Sequence, residues 1–155
     1  MPATREDQHD LSSGARRRSN VLVVDDDVSM RELLQLHLSN AGYSVALADD
    51  AIAAGRMFLA STPDLLLIDV SMPYMSGLDF VATVFADLTV PVIPVIFITA
   101  HEHFAQHAEE MGAECLIKPV PVSRLLEAVA RTLKASRPAD PVDGAKPRRS
   151  ALTVI

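Results

Sequence analysis

Short apolar runs recur along this chain, and segments with helical periodicity separate them. Runs of three or four apolar residues without polar interruption are typical of strands buried on both faces of a parallel sheet. A fifth segment, in which Tyr43, Val45 and Leu47 alternate with smaller residues, predicts an edge strand with one covered face. The predicted buried strands are Val21–Val24, Leu65–Ile68, Val95–Ile98 and Cys115–Ile117.

A helical pattern follows each predicted strand. The first begins with a capping box, Ser29 to Glu32, and ends at Gly42, a residue suited to the left-handed position after a helix. The second helix begins after Asp50, and the third carries apolar residues from Leu78 to Leu88. The fourth covers about His101 to Met111 before Gly112, and the fifth carries apolar residues from Val122 to Leu133. Five β–α units with right-handed crossovers predict an α/β fold. We expect a flavodoxin-like, doubly wound, five-stranded parallel sheet with strand order 2-1-3-4-5 and five helices.

Each buried run ends in residues with useful chemistry. Asp25 and Asp26 follow the first strand, Asp69 the third, Thr99 the fourth and Lys118 the fifth. Ligand sites of open α/β sheets lie outside the carboxyl ends of the strands, and order 2-1-3-4-5 makes strands 1 and 3 neighbours. The carboxylates of Asp25, Asp26 and Asp69 are therefore expected to meet.

Converging carboxylates repel one another unless a cation joins them, and an all-oxygen ligand set favours Mg²⁺. We expect Asp26 and Asp69 to bind the metal directly, Asp25 to hold a metal-bound water, and a carbonyl after Asp69 to complete the set. Asp69 is then placed to form an acyl phosphate as a nucleophile. Lys118 supplies positive charge to the phosphoryl oxygens, and Thr99 supplies a hydroxyl.

Charge and composition narrow the class of protein. Residues 20–135 carry 15 acidic and 6 basic side chains, which argues against direct binding of this region to DNA. A single cysteine excludes an intrachain disulfide framework, and no apolar run approaches the roughly 18 residues of a membrane span. The first residues lack the apolar core of a secretory signal. We therefore expect a cytoplasmic protein without membrane contact.

Three regions are predicted along the chain. Residues 1–19 are expected to form a disordered arm, 20–135 the folded domain and 136–155 a disordered, proline-containing tail. This tail is too short and too rich in proline to form a DNA-binding domain. It ends in the apolar segment Ala151–Ile155, which is either a frayed terminus or a docking motif.

The motifs at the strand ends resemble those of the two-component response-regulator receiver domain, of the CheY-like superfamily. The resemblance covers about residues 20 to 135, in family order and spacing. The motifs are Val23–Asp27, Asp69–Gly77, Phe97–Ala100 and Lys118–Pro119.

The resemblance implies a function and a role for each site residue. Asp69 would accept a phosphoryl group from a phosphohistidine of a sensor histidine kinase or a histidine phosphotransfer protein. Asp25 and Asp26 would form the acidic metal pair, with the Ser71 backbone carbonyl as a further Mg²⁺ ligand. Thr99 and Lys118 would bind the phosphoryl group, and the bond between Lys118 and Pro119 would be cis.

The resemblance also implies a signalling switch that is not an enzyme beyond its own phosphorylation and dephosphorylation. As a stand-alone receiver, it would bind a downstream protein through a face formed by helix 4, strand 5 and helix 5; a homodimer stays open. Cys115 departs from the family pattern, which has Tyr or Phe at this position. Cysteine has no ring to couple to Thr99, so we expect the output to rely on the loop after Thr99 and on helix 4. We also expect Cys115 to be a small buried apolar residue.

Two alternative functions remain at this point. A receiver-like interaction module that no longer uses phosphate would keep the fold, and Cys115 is the feature that favours it. A phosphatase of the haloacid-dehalogenase type would use Asp25 as nucleophile and Asp27 as general acid. That type of enzyme does not require Asp69 and the loop from Ser71 to Gly77.

Overall fold

A computed structural model describes residues 16–137 of the 155-residue chain. These residues form five β–α units in strict alternation. The strands are β1 (Asn20–Val24), β2 (Ser44–Ala48), β3 (Leu65–Asp69), β4 (Val95–Thr99) and β5 (Glu114–Ile117). The helices are α1 (Val28–Asn40), α2 (Ala51–Ala60), α3 (Gly77–Ala86), α4 (His103–Glu110) and α5 (Val122–Ser136).

The five strands form one parallel sheet in the order β2-β1-β3-β4-β5. The fold class and strand order predicted from the sequence are therefore confirmed. In the register of the sheet, Val24 of β1 pairs with Ile68 of β3. The next residue of each strand segment is an aspartate, so Asp25 and Asp69 lie side by side at the carboxyl edge.

Alternate residues of the central strands enter two separate apolar layers. Leu22, Val24 and Ile68 pack on the side of α2, α3 and α4. Val21 and Val23 pack on the other side, against α1 and α5. All five of these side chains are almost completely buried. Both faces of the sheet are covered, which explains why the strands are continuous apolar runs rather than alternating ones.

Three helices begin with a side-chain cap, and one cap differs from the sequence prediction. Asp27, not Ser29, is the N-cap of α1, and its carboxylate accepts the Met30 N–H at 3.1 Å. Asp50 caps α2 and Ser76 caps α3 in the same way. The predicted left-handed glycines are confirmed, since Gly42 has φ of 95° and Gly112 has φ of 73°.

Three helix boundaries also differ from their predicted positions. α3 ends at Ala86, so Leu88 lies beyond the helix and is exposed, contrary to the prediction. α4 begins at His103 rather than His101, without a side-chain cap, and α5 extends to Ser136. Within residues 16–137, no helix has the length and apolar character needed to cross a bilayer. The predictions for residues 1–15 and 138–155 lie outside the described residues.

Candidate functional site

Three carboxylates meet at the carboxyl edge of the sheet, as the strand order predicts. One oxygen from each of Asp25, Asp26 and Asp69 lies within 4.8 Å of the other two. Asp25 and Asp69 are buried, with 1% and 6% of their surface exposed, whereas Asp26 is exposed. The cluster is therefore buried at Asp25 and Asp69 and open to solvent at Asp26.

Lys118 brings a positive charge into this cluster. Its Nζ donates to Asp25 Oδ2 at 3.3 Å and to Asp69 Oδ2 at 3.2 Å. Lys118 follows the edge strand β5, so its side chain reaches past β4 to arrive at β3. The Lys118 N–H donates to the Thr99 carbonyl at 2.8 Å, which fixes the start of this segment on β4. The peptide bond from Lys118 to Pro119 is cis, as predicted.

The backbone holds the second oxygen of each buried carboxylate. Asp25 Oδ1 accepts the Asp27 N–H at 2.9 Å, and Asp69 Oδ1 accepts the Ser71 N–H at 3.1 Å. Each carboxylate is thus fixed by the chain two residues further on and turns its other oxygen toward Lys118. This arrangement orients both groups before any ligand binds.

Burial and charge act against each other in this pocket. Burial raises the pKa of Asp25, and so does repulsion from Asp69, while the Asp27 N–H and Lys118 oppose that rise. Burial disfavours the charged form of Lys118, but attraction to Asp25 and Asp69 outweighs it and raises the Lys118 pKa above its ordinary value. Lys118 is therefore an ammonium at neutral pH, available to a phosphoryl group.

The loop after β3 carries one predicted metal ligand, the Ser71 carbonyl. The Ser71 N–H is used by Asp69, and among residues 16–137 no hydrogen bond to the Ser71 carbonyl is formed. Tyr74 has φ of 69° and a fully exposed ring. Gly77 returns the chain to the sheet, where its N–H donates to the Val70 carbonyl at 2.9 Å. The Ser71 carbonyl is therefore free to accept a ligand.

Thr99 lies at the end of β4, at the same edge of the sheet. It is completely buried, and its Oγ1 accepts the His101 N–H at 3.1 Å. The hydroxyl proton is not used in that bond, so it remains free to donate to an oxygen arriving at the pocket.

Two contacts at the site were not predicted from the sequence, one made by Arg31 and the other by Gly77, which was identified only as the end of a motif. Arg31 Nη1 donates to the Asp25 carbonyl at 2.6 Å, which ties α1 to the turn carrying the acidic pair. Gly77 lies so close to β3 that a Cβ there would be 2.3 Å from the Asp69 carbonyl oxygen. Nothing in the local pattern identifies Arg31, whereas a glycine at the first position of a predicted helix was a usable signal.

The chemistry of the donor set fits a hard divalent cation. The three carboxylates offer oxygen ligands only, and one of them faces solvent, where metal-bound waters fit. The described part of the chain thus contains an acidic pocket able to bind a metal ion.

The phosphatase alternative finds less support in this geometry. Asp27, its general acid, has its carboxylate occupied as the N-cap of α1. Asp25, its nucleophile, has one oxygen on the backbone and the other on Lys118. Asp69 also accepts a hydrogen bond from Lys118 and is equally well oriented, which favours Asp69 rather than Asp25 as the nucleophile.

Cys115 is half-buried and packs against the apolar layer on the side of α2, α3 and α4. Burial raises the pKa of its thiol above the ordinary 9.0. Cys115 is thus less buried than predicted, while its packing against the apolar layer agrees with the predicted apolar character. An aromatic residue packed against the same layer, Phe104, comes from α4, and its ring centroid lies 4.1 Å from that of His103.

Comparisons with known proteins agree with this geometry. Residues 21–130 match the family model of the response regulator receiver domain. Response regulator MprA of Mycobacterium tuberculosis is 34% identical over 137 residues, which cover 86% of this chain and 59% of that protein. The chain therefore spans about three fifths of the length of the curated relatives it matches.

Solved structures agree as well. Chemotaxis protein CheY4 of Vibrio cholerae has a TM-score of 0.68 and 30% identity, over 74% of this chain and 98% of that one. TrrA of Thermotoga maritima, solved in complex with Mg(2+)-BeF, has a TM-score of 0.67 and 29% identity, over 74% and 98%. The match of sequence, fold and acidic pocket places this chain in the family of response regulator receiver domains, which act in phosphorylation-dependent signalling.

Proposed function

We propose that Asp69 accepts a phosphoryl group from a phosphohistidine of a sensor histidine kinase or a histidine phosphotransfer protein. The observation that carries this proposal is the position of Lys118 Nζ, 3.2 Å from Asp69 Oδ2 inside the acidic cluster. An ammonium there binds the negative oxygens of an incoming phosphoryl group beside the oxygen that attacks it. The reaction is confined to phosphorylation and dephosphorylation of this chain.

The transfer is a displacement at phosphorus. A carboxylate oxygen of Asp69 forms the new bond to phosphorus, the bond from phosphorus to the histidine nitrogen breaks, and the imidazole leaves with that electron pair. The Ser71 N–H holds the carboxylate in place during the attack, since it already donates to Asp69 Oδ1. Lys118 compensates the negative charge on the transferred group.

Mg²⁺ is the proposed metal, held by Asp25, Asp26 and Asp69 with the Ser71 carbonyl. When bound, the ion would supply the positive charge that draws the phosphoryl oxygens toward Asp69. A relative of the same fold, TrrA, has been solved in complex with Mg(2+)-BeF, which supports this choice of ion. The buried position of Asp25 and the exposed position of Asp26 suit a site open on one side.

The phosphorylated state is proposed to act through protein contacts. To donate its hydroxyl proton to the phosphoryl group, the Thr99 side chain moves toward Asp69, and this movement weakens the bond that Thr99 Oγ1 accepts from the His101 N–H, two residues before α4. The face formed by α4, β5 and α5 then binds or releases a partner protein. Residues 20–135 carry 15 acidic and 6 basic side chains, a balance that favours a protein partner for this region over DNA. The stand-alone type, the cytoplasmic location and a homodimer stay predictions.

Phosphorylation by acetyl phosphate tests the reaction without knowledge of the kinase. Intact-mass spectrometry should record the addition of one phosphoryl group in the presence of Mg²⁺ and none after chelation of the metal. Asp69→Asn should abolish the addition. Asp79→Asn is the matched control, because Asp79 is an exposed carboxylate on α3, and it should be labelled like the unchanged protein. Equal labelling of Asp69→Asn, or no labelling of the unchanged protein, would contradict the proposal.

Partner capture in the presence and absence of beryllofluoride tests the output. A switch predicts that the amount of at least one bound protein changes with the phosphoryl mimic, and that Asp69→Asn removes this change. An unchanged set of partners, together with normal phosphorylation, would favour the module that no longer uses phosphate for signalling.

A further inference from the structure

An open groove of about 480 Å³ lies at the opposite edge of the sheet from the acidic cluster. We name it the α3–α5 groove and define it by Phe85, Val92, Ile93, Met111, Arg131 and Ala135. Its walls come from the end of α3, the segment before β4, the turn before β5 and the last turns of α5. Because β4 and β5 begin here, the groove is separate from the site at their carboxyl ends.

The α3–α5 groove has an apolar wall and a polar rim. Phe85, Ile93 and Met111 line the wall, and Val92 leaves 61% of its surface exposed beside them. On the rim, Arg131 forms an ion pair with Glu114, whose other oxygen accepts the Thr132 hydroxyl at 3.4 Å. A volume of this size is in the range of sites that bind small ligands or short peptide segments.

The chain itself leaves the domain at this groove. Ala135 and Ser136, the last two residues of α5, are part of its lining. The residues after Arg137 therefore start at the rim. Thirteen residues lie between Arg137 and Ala151, and the fourteen fully extended Cα–Cα steps that join them span roughly 46 Å. This exceeds the diameter expected for a domain with a radius of gyration of about 13 Å, so the segment from Ala151 can return to the groove.

The sequence of this later segment complements the groove. Ala151–Ile155 contains Leu, Val and Ile, and three basic residues precede it at positions 146, 148 and 149. Two exposed acidic residues lie close to the groove in sequence, Asp87 two residues after Phe85 and Glu110 directly before Met111. The basic residue of the lining, Arg131, is already paired with Glu114. An apolar segment with a basic flank thus fits an apolar groove with acidic neighbours, in a domain that is strongly acidic as a whole.

We propose that the apolar segment Ala151–Ile155 docks intramolecularly in the α3–α5 groove, with its basic flank facing Asp87 and Glu110. Docking buries the exposed side chain of Val92 and the apolar side chains of the segment together. The groove lies far from Asp69, and a partner protein that binds there would have to displace the segment.

Methyl NMR on the full chain tests the proposal, with the methionine methyl groups labelled with ¹³C. Met111 reports on the groove and is assigned with Met111→Leu; Met75, in the loop after β3, is the internal reference. Docking predicts NOEs from the Met111 methyl to Leu152 and Val154. The double variant Leu152→Asp with Val154→Asp should remove these NOEs and shift Met111 without shifting Met75.

A matched variant separates docking from charge. Val142→Asp with Ala145→Asp adds the same charge to the same region outside the apolar segment, and it should leave Met111 unchanged. Val92→Asp changes an exposed groove residue, so it should fold normally and also remove the NOEs.

Three outcomes would overturn the proposal. One is the absence of NOEs between Met111 and the segment in the unchanged chain. Another is an equal shift of Met111 in both double variants, which would indicate a charge effect. The third is an NOE that appears between separately labelled copies in a mixed sample, which would identify a second copy of the chain as the occupant.

Discussion

Replacing Gly77 with alanine is expected to destabilise the protein and to disturb Asp69 at the same time. A Cβ at this position would lie 2.3 Å from the Asp69 carbonyl oxygen and 3.2 Å from Ile68 Cγ1. Carbon and oxygen atoms in close backbone contact are normally about 3.3 Å apart, so α3 and β3 must separate by about 1 Å. The Gly77 N–H is meanwhile held by the Val70 carbonyl.

Overpacking of this kind costs roughly 1–3 kcal/mol of unfolding free energy. The reduced freedom of alanine in the unfolded chain returns about 0.4–1 kcal/mol, so a net loss of about 1–2 kcal/mol is expected. Because the displaced atom is the backbone of the phosphoacceptor, phosphorylation by acetyl phosphate should slow by roughly 10- to 100-fold.

Gly55→Ala is the matched control for this experiment. Its Cβ would meet Phe80 at 3.9 Å, an ordinary contact, and Gly55 lies within α2. Alanine should therefore stabilise this helix by about 0.5–1 kcal/mol and leave phosphorylation unchanged. Urea denaturation and the labelling rate measure both effects. If Gly77→Ala were as stable and as reactive as the unchanged protein, the close approach of α3 to β3 would not constrain the site.

Mg²⁺ at one hundred times its dissociation constant should stabilise the fold by about 2.7 kcal/mol in thermal denaturation. At the same Mg²⁺ concentration, Asp26→Asn should lose most of this stabilisation. An equal stabilisation of the variant would contradict the proposed ligand set. Alkylation of Cys115 should accelerate until the pH exceeds 9.0, because burial raises the thiol pKa and so lowers the thiolate fraction at neutral pH; a plateau reached below pH 9.0 would refute this. Leu38→Ala, at a completely buried position, should cost about 2–5 kcal/mol in urea denaturation. Leu36→Ala, at a position that is 54% exposed, should change stability by less than about 0.5 kcal/mol, and similar losses in the two variants would contradict the assigned packing of α1.

Local sequence pattern determined the elements and the edge of the sheet where the chemistry lies. Continuous apolar runs identify buried strands because both faces of the sheet are covered, and the polar residue after each run marks its carboxyl end. The order of strands was predicted from the flavodoxin-like arrangement that is expected for five β–α units. The meeting of Asp25, Asp26 and Asp69 could therefore be predicted.

Helix ends were less predictable, because several local signals compete for the same turn. Ser29 and Asp27 are both good N-cap residues. Asp27 caps α1 in the structure, where its N–H is held by the Asp25 carboxylate directly after β1. The capping-box pattern alone contains no information about that contact, so the predicted helix began too late.

Local pattern was enough to predict which carboxylates meet at the site, whereas their orientation toward one another depends on the packing of the folded domain. Lys118 contacts Asp25 across 93 positions of sequence and Asp69 across 49. These two contacts, the raised pKa of Asp25 and the close approach of Gly77 to Asp69 all depend on how helices and strands from distant segments pack. Periodicity is a property of neighbouring residues, whereas burial and charge separation are set by the whole packed sheet. The α3–α5 groove has the same origin, since four separate segments form its walls.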